Sequence, residues 1–100
     1  MHRSDVMATL TIHKGELIAL GAAHLSLFGS VARDQAGNDS DVDIIVDSIG
    51  GQPLGLFRLA RISDALERLL ARPVDLISRS GLNHARRLKQ QVADDLVDVF

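Results

Sequence analysis

Residues 41–47 read Asp-Val-Asp-Ile-Ile-Val-Asp, a short run in which acidic and apolar side chains largely alternate. Side chains of a strand point in turn to opposite faces, so Asp41 and Asp43 share one face with Ile45. The other face carries Val42, Ile44 and Val46. The pattern predicts a strand with one face buried in a core and two carboxylates at the start of its other face.

The rest of the chain predicts helices that alternate with strands. The spacing of apolar residues and the positions of glycine and proline predict helices over residues 9 or 11–20, 54–71 and 80 or 83–95. The same signals predict strands over 24–28, 41–47, 73–77 and 97–100, the first half-buried and the last at a sheet edge. We therefore expect an α/β or α+β fold, in which Gly21 ends the first helix.

Composition limits the class of protein to which the chain can belong. One hundred residues, of which 46% are hydrophobic and 24% charged, suit a single globular domain over residues 1–100. The net charge of −2 and the absence of Trp and Tyr argue against direct binding of nucleic acid. The chain has no Cys, no apolar run long enough for a membrane span and a charged start. We therefore expect a cytoplasmic protein that does not bind a membrane.

Asp41 and Asp43 carry the first indication of chemistry. Two like charges at this spacing repel each other, and burial of either carboxylate without a partner is costly. A divalent cation relieves both problems, since Mg²⁺ prefers one or two carboxylates together with phosphate oxygens of a substrate. The alternative is an exposed acidic turn, which needs no cation.

Gly29 and Ser30 lie where the first predicted strand gives way to a helical turn, with ten residues between Ser30 and Asp41. Glycine lets the backbone approach a ligand, and the start of a helix offers N–H groups to phosphate. Arg33 follows within one turn and is able to bind an anion through paired hydrogen bonds. The segment matches neither the glycine-lysine phosphate loop nor the dinucleotide-binding glycine pattern. Each residue also has an ordinary interpretation, as part of a surface turn or as a surface arginine.

Asp75 is a third candidate carboxylate, because it interrupts the otherwise apolar run 73–77. An acid in a short strand at the centre of a sheet needs a cation or several hydrogen-bond donors. The alternative is an ion pair with one of the many arginines of the chain.

Three segments together resemble the minimal nucleotidyltransferase (MNT) family, the smallest branch of the DNA-polymerase-β-like nucleotidyltransferases. They are Gly29-Ser30-Val31-Ala32-Arg33, Ser40-Asp41-Val42-Asp43-Ile44-Ile45-Val46 and Arg72-Pro73-Val74-Asp75-Leu76-Ile77. The resemblance extends over nearly the whole chain. It implies the nucleotidyltransferase fold, a small mixed β-sheet with helices packed on it, as one domain.

The resemblance also assigns roles to individual residues. The residues that would be catalytic and would hold Mg²⁺, in a site for two metal ions, are Asp41, Asp43 and Asp75. The residues that would bind the nucleotide are Gly29, Ser30, Arg33 and Ser40. Asp34 departs from the family pattern, because many relatives have Gly at this place after the arginine. A negative charge beside a phosphate site can weaken nucleotide binding, so the effect of Asp34 on activity stays open.

The family further implies transfer of AMP from ATP to a hydroxyl group, with release of pyrophosphate. The segment after Asp75 is too short for an acceptor-binding domain, so we expect the acceptor on another protein. In the MNT family that partner is a HEPN-type toxin that is modified on a tyrosine, which makes the MNT protein an antitoxin. Two alternatives stay open: neutralisation of the partner by binding alone, and a stand-alone enzyme that acts on a small molecule.

Two surfaces are candidates for contact with the partner or with a second copy, in a homo- or hetero-oligomer. The first is the long predicted helix, which carries Arg58, Arg61, Arg68 and Arg72. The second is segment 97–100, whose apolar end would otherwise be exposed at a sheet edge.

Overall fold

The computed structural model describes residues 2–35, 41–51, 53–83 and 95–100. The helices of that part are α1 (Arg3–Ile12), α2 (Lys14–Ala19), α3 (Gly29–Ala32), α4 (Leu56–Leu70) and α5 (Arg79–Asn83), with a 3₁₀ turn at Ile49–Gly51. Its strands are β1 (Ala22–Phe28), β2 (Val42–Ser48), β3 (Val74–Ser78) and β4 (Val97–Asp98). None of the helices described is long and apolar enough to cross a membrane.

The described strands form one mixed sheet in the order β3-β2-β1-β4. β1 pairs antiparallel with β2 and with β4, whereas β2 and β3 are parallel. The parallel pair is joined through α4, the kind of crossover that parallel strands require. The predicted small mixed sheet with helices packed on it is confirmed. Among these strands, β3 lies at an edge and not at the centre.

One face of the sheet packs against α1, α2 and α4 and forms the main core. On this face β2 contributes Val42, Ile44 and Val46, which are fully buried, as the alternation of residues 41–47 predicts. The helices contribute Val6, Leu10, Leu17, Ile62, Leu66 and Leu70. Because the last three recur every four residues, they form one apolar stripe of α4 that faces the sheet.

The opposite face of the sheet is more covered than the sequence predicts. The buried residues of β1 are Ala22, Leu25, Ser26, Leu27 and Phe28. Phe28 packs with Ile45 and with Leu82 of α5, which lies on this second face. The prediction of a half-buried strand is therefore wrong, because alternation along one strand contains no information about a helix that covers its second face.

The first helical region begins earlier than predicted and is divided in two. The carboxylate of Asp5 accepts a hydrogen bond of 3.0 Å from the backbone N–H of His2, which closes the start of α1. The hydroxyl of Thr11, one of the predicted starting residues, instead donates to the carbonyl of Met7 at 2.7 Å inside the helix. The prediction of one helix from residue 9 or 11 is therefore wrong, and the break between α1 and α2 falls at His13.

The ends of the other helices follow local chemistry. Gly21 has φ +109 and follows α2, as predicted. α5 begins at Arg79 and not at Ser80 or Asn83, because the Ser78 hydroxyl accepts a hydrogen bond of 3.1 Å from the backbone N–H of Gly81. The predicted continuation of this helix to residue 95 lies mostly outside the described residues.

The residue that ends α4 generates a prediction about stability. Ala71 has φ +55, a left-handed conformation that strains alanine but not glycine. Ala71→Gly should therefore raise the free energy of unfolding by about 0.5–1 kcal/mol, measured by urea titration. The control is Ala60→Gly at an exposed position inside α4, which should lower it by about 1 kcal/mol. An equal loss in both variants would show that Ala71 is not strained.

Candidate active site

The turn from β1 into α3 brings the backbone of Gly29 against the side chain of Asp43. Gly29 has φ +71, a backbone conformation in which other residues are strained. A Cβ atom at this position would lie 3.2 Å from the carboxyl carbon of Asp43 and would collide with one of its oxygens. The β1–β2 register, which pairs Phe28 with Asp43, sets this contact. Glycine is required here for two independent reasons, one conformational and one steric.

The predicted catalytic carboxylates lie at neighbouring positions of the sheet. Asp43 and Asp75 are direct partners in the parallel β2–β3 pair, and Asp41 stands two residues before Asp43. Burial raises the pKa of the Asp43 carboxyl group, and the charges of Asp75 and Asp41 raise it further. The positive charge of Arg33 opposes this rise in pKa. The structure thus brings all three carboxylates and Arg33 into one electrostatic neighbourhood.

Asp75 is exposed, contrary to the expectation of an acid in the centre of a sheet. Its strand lies at the edge of the described sheet, where water solvates a carboxylate, so its charge requires neither a cation nor an ion pair. Within residues 2–35, 41–51, 53–83 and 95–100, no three His, Asp or Glu side chains are grouped closely enough to hold a metal ion. The predicted site with three carboxylates and two metal ions therefore stays a prediction.

The donor chemistry of this region suits a hard divalent cation. Asp43 and Asp75 offer only oxygen atoms from adjacent strands, and Mg²⁺ binds one or two carboxylates together with phosphate oxygens. The raised pKa of Asp43 reflects burial among negative charges that Arg33 only partly offsets. A cation would relieve that repulsion, with Asp41 as a further oxygen donor. The adjacent carboxylates of Asp43 and Asp75 therefore fit one such cation, whereas the full set of three carboxylates is not grouped as a metal site among the described residues.

The predicted phosphate-binding residues have different environments. Arg33 forms an ion pair, in which its Nη1 donates to Asp95 Oδ2 at 2.7 Å, and its Nε donates to Gln35 at 3.2 Å. An anion at this site would compete with Asp95 for the guanidinium group. Ser30 is half-buried in the only turn of α3. Ser40 lies outside the described residues.

Asp34 directs its charge to the start of α1. It has φ +58, a left-handed conformation that Asp tolerates better than most residues and that Gly adopts freely. Its Oδ1 accepts a hydrogen bond of 3.0 Å from the backbone N–H of Arg3, and this bond lowers the pKa of Asp34. The structure thus shows what holds the Asp34 carboxylate, whereas the effect of its charge on nucleotide binding stays a prediction.

Sequence reasoning missed a polar cluster further along the same sheet face. The guanidinium group of Arg79 donates to both carboxylate oxygens of Asp47, at 2.9 and 3.3 Å. The hydroxyl of buried Ser26 donates to Asp98 Oδ1 at 2.8 Å, which joins β1 to β4. These side chains line part of a cavity of about 360 Å³. No local signal relates residues that are so far apart in the sequence.

Known proteins share this fold. Residues 12–99 match the family model described as nucleotidyltransferase domain. The protein adenylyltransferase MntA of Thermococcus cleftensis is 38% identical over 79 residues, which are 78% of this chain and 78% of that protein. A solved structure described as a minimal nucleotidyltransferase is similar with a TM-score of 0.77 and 36% identity, over 97% of this chain and 95% of that one.

A solved toxin–antitoxin complex is also similar. It contains a tri-AMPylated Shewanella oneidensis HEPN toxin and an MNT antitoxin, and the TM-score is 0.60. The identity is 21%, over 90% of this chain and 71% of that chain. At this identity the likeness shows the fold alone.

The contact between Gly29 and Asp43 generates a second prediction. Gly29→Ala should lower the free energy of unfolding by about 1–3 kcal/mol, because the added Cβ meets the Asp43 carboxyl group from a strained backbone. Gly15→Ala is the matched control in α2, since a Cβ there meets nothing within 4 Å. It should leave stability unchanged or raise it by up to about 1 kcal/mol. Urea titrations that give Gly29→Ala wild-type stability would contradict the steric argument.

The raised pKa of Asp43 generates a third prediction, for the protein in a chelating buffer. The stability that this group contributes is fully present below its ordinary pKa of 3.8 and is lost as pH rises through the raised pKa of the folded state. Asp43→Asn removes the charge, so the variant should gain stability over the wild type as pH rises from about 4 to 7.

Urea titrations at each pH measure this difference. The control is Asp64→Asn, the same chemical change at an exposed position of α4, for which the difference from wild type should not grow with pH. A wild-type protein that is more stable than Asp43→Asn at neutral pH would show that partners stabilise the charged carboxylate.

Proposed function

Because the chain belongs to the minimal branch of the nucleotidyltransferase domain family, we propose that it transfers AMP from ATP to a hydroxyl group of a partner protein. The observation that carries the proposal is the contact of Gly29 with Asp43, beside Asp75 on the adjacent strand. At this contact a turn that lacks a side chain, which suits phosphate, lies beside a pair of carboxylates, which suits a divalent cation. The MntA relative, a protein adenylyltransferase, supports the choice of AMP.

ATP would bind with its β- and γ-phosphates at the turn that begins with Gly29 and Ser30. The absence of a side chain at Gly29 lets phosphate oxygens reach backbone N–H groups, and Ser30 adds a hydroxyl donor. Arg33 would support the phosphates in competition with Asp95, whose carboxylate its Nη1 binds. Ser40, outside the described residues, is proposed as a further contact.

The transfer replaces one P–O bond by another. The acceptor oxygen attacks the α-phosphorus of ATP, a new P–O bond forms, and the bond to the departing pyrophosphate breaks. Asp75 is exposed beside Asp43, so we expect its carboxylate to accept the proton of the acceptor hydroxyl. Asp41, Asp43 and Asp75 would hold Mg²⁺, and the chemistry that bound Mg²⁺ supplies is neutralisation of charge on the phosphates.

The acceptor is proposed to be a tyrosine of a HEPN-type toxin, for which this chain would be the antitoxin. Support comes from the Shewanella oneidensis complex, in which an MNT antitoxin is bound to a HEPN toxin that carries AMP. The exposure of Asp75 also suits this acceptor, because a hydroxyl on another protein must reach the carboxylate from solvent.

The partner would dock on the N-terminal end of α4. Leu56 and Phe57 are 87% and 78% exposed there. Arg58 and Arg61 are exposed beside them. A surface that is both apolar and basic suits an acidic partner with apolar anchors, because the charges steer the encounter and the apolar side chains become buried.

Two other predicted contact regions serve the fold of the chain itself. Arg68 donates to Glu16 at 2.6 Å, which joins α4 to α2. Segment 97–100 is not an exposed apolar end, since β4 pairs with β1 and Phe100 packs against the core below Lys14. Its apolar side chains are partly buried, so the reason for expecting a partner contact there does not hold.

Neutralisation by binding alone was the alternative that Asp34 kept open. The hydrogen bond from Arg3 to the Asp34 carboxylate does not test this alternative, so the transfer assay decides between it and an active enzyme. A small-molecule acceptor has no observation in its favour. Cytoplasmic location and the oligomeric state stay predictions.

The proposal is tested by incubating the chain with Mg²⁺, ATP and a HEPN-type partner protein. Intact-mass spectrometry of the partner should show the addition of one or more AMP units. Asp43→Asn should slow the transfer at least about a hundredfold, because loss of a metal-binding carboxylate removes several kcal/mol of transition-state stabilisation. The matched control, Asp64→Asn on α4, should transfer AMP at the wild-type rate.

Light scattering of the same samples follows formation of the complex. Asp43→Asn should still form it, because the substitution leaves the exposed surface of α4 unchanged. A partner that joins the wild-type chain but stays unmodified would favour neutralisation by binding alone. The absence of both the complex and the modification would contradict the proposed partner.

A further inference from the structure

The start of α1 is joined to the end of the α3 turn by two hydrogen bonds. The guanidinium Nη1 of Arg3 donates to the carbonyl of Ala32 at 2.9 Å. The backbone N–H of Arg3 donates to Asp34 Oδ1 at 3.0 Å, and the imidazole Nδ1 of His2 lies 3.6 Å from the same oxygen. The partners are 29 and 31 positions apart in the sequence, so these are tertiary contacts.

α3 depends on contacts of this kind because it has only four residues. A helix of one turn is not stable by itself in water, and the carbonyls at its end have no partners within the helix. Backbone N–H groups of the following residues use three of the four carbonyls of α3: Arg33 donates to Gly29 at 3.2 Å, Asp34 to Val31 at 2.9 Å and Gln35 to Ser30 at 2.8 Å. The guanidinium group of Arg3 binds the carbonyl that these bonds do not use.

We propose that Arg3 and Asp34 are positioning residues, which hold the α3 turn in the shape that binds the nucleotide. The α3 turn is held at both ends, at Gly29 by the close contact with Asp43 and at its far end by Arg3. The pair therefore maintains the backbone geometry that Gly29 and Ser30 need to bind the phosphates of ATP. This inference rests on the proposed function and extends it to residues that do not touch the substrate.

The residue at position 34 adopts a left-handed backbone conformation and accepts a hydrogen bond from Arg3. Two substitutions separate these requirements. Asn tolerates the left-handed conformation and keeps an oxygen that accepts the hydrogen bond from Arg3. Gly adopts the same conformation freely but offers no acceptor. If only the backbone conformation mattered, both variants would behave like the wild type. If the acceptor positions the turn, only Asp34→Asn will do so.

Hydrogen exchange of the isolated chain, without nucleotide, measures the order of the turn. The amide of Gln35, corrected for intrinsic rates, should exchange about threefold to tenfold faster in Asp34→Gly and in Arg3→Met, the change expected when one hydrogen bond is lost. Asp34→Asn should stay within about twofold of the wild type. The matched control is Arg68→Met, which also removes an arginine hydrogen bond, the one that joins α4 to α2, and which should leave this amide unchanged.

Calorimetric titration with ATP in the presence of Mg²⁺ tests the effect on the nucleotide. The Kd for ATP should rise about threefold to tenfold in Asp34→Gly and in Arg3→Met, and it should not change in Asp34→Asn or Arg68→Met. In the transfer assay the first two variants should raise KM for ATP and leave kcat within about twofold. The reason is that the turn contacts the phosphates equally in the ground state and the transition state.

Wild-type exchange and wild-type affinity in Asp34→Gly would overturn the positioning role. Circular dichroism would show whether Arg3→Met is unfolded. If it is, the comparison of Asp34→Gly with Asp34→Asn decides whether the hydrogen bond positions the turn. A wild-type chain that binds no ATP would contradict the proposed function instead. The exchange rates would then still decide whether Arg3 and Asp34 order the turn.

Discussion

The contact between the Gly29 backbone and the Asp43 carboxyl group is the constraint on which the site depends. It arises because the antiparallel register pairs Phe28 with Asp43, and because the chain turns into α3 directly after β1. A slip of one residue would bring Asp43 to the core face and Ile44 to the site. Burial of the apolar residues of β2 therefore sets the position of the carboxylates as well as the stability of the sheet.

The two faces of the sheet contribute differently to the stability of the fold. The face covered by α1, α2 and α4 buries apolar surface, which is the main favourable term in folding. On the other face, burial of Asp43 raises the pKa of its carboxyl group and the charges of Asp75 and Asp41 raise it further, so the charged form of this group opposes folding at neutral pH. The main core offsets that repulsion. The α3 turn is too short to be stable alone, so its shape follows from Asp43 at one end and Arg3 at the other.

Several charged side chains that look like candidate ligands in the sequence form ion pairs within the fold. Arg33 pairs with Asp95, and Arg79 pairs with Asp47, so neither guanidinium group is simply available to a substrate. Exposed charges stand at the two places to which the proposed function assigns chemistry. Carboxylates stand at the end of the sheet beside the Gly29 turn, and arginines stand beside the exposed apolar residues at the start of α4. The first place suits phosphate and a cation, and the second suits an acidic protein.

The sequence by itself determined the elements that rest on periodicity and on residue type. The alternation of residues 41–47 predicted which face of β2 is buried, the apolar spacing over residues 54–71 predicted the long helix α4, and Gly29 with the carboxylates indicated the candidate site. Only the tertiary structure decided the order of the strands, which exposes Asp75 at an edge, and the helix α5 that covers the second face. It also decided the partners of Asp34 and Arg33, which lie 31 and 62 positions away. Periodicity is a local property of the chain, whereas these contacts depend on how distant segments pack against one another.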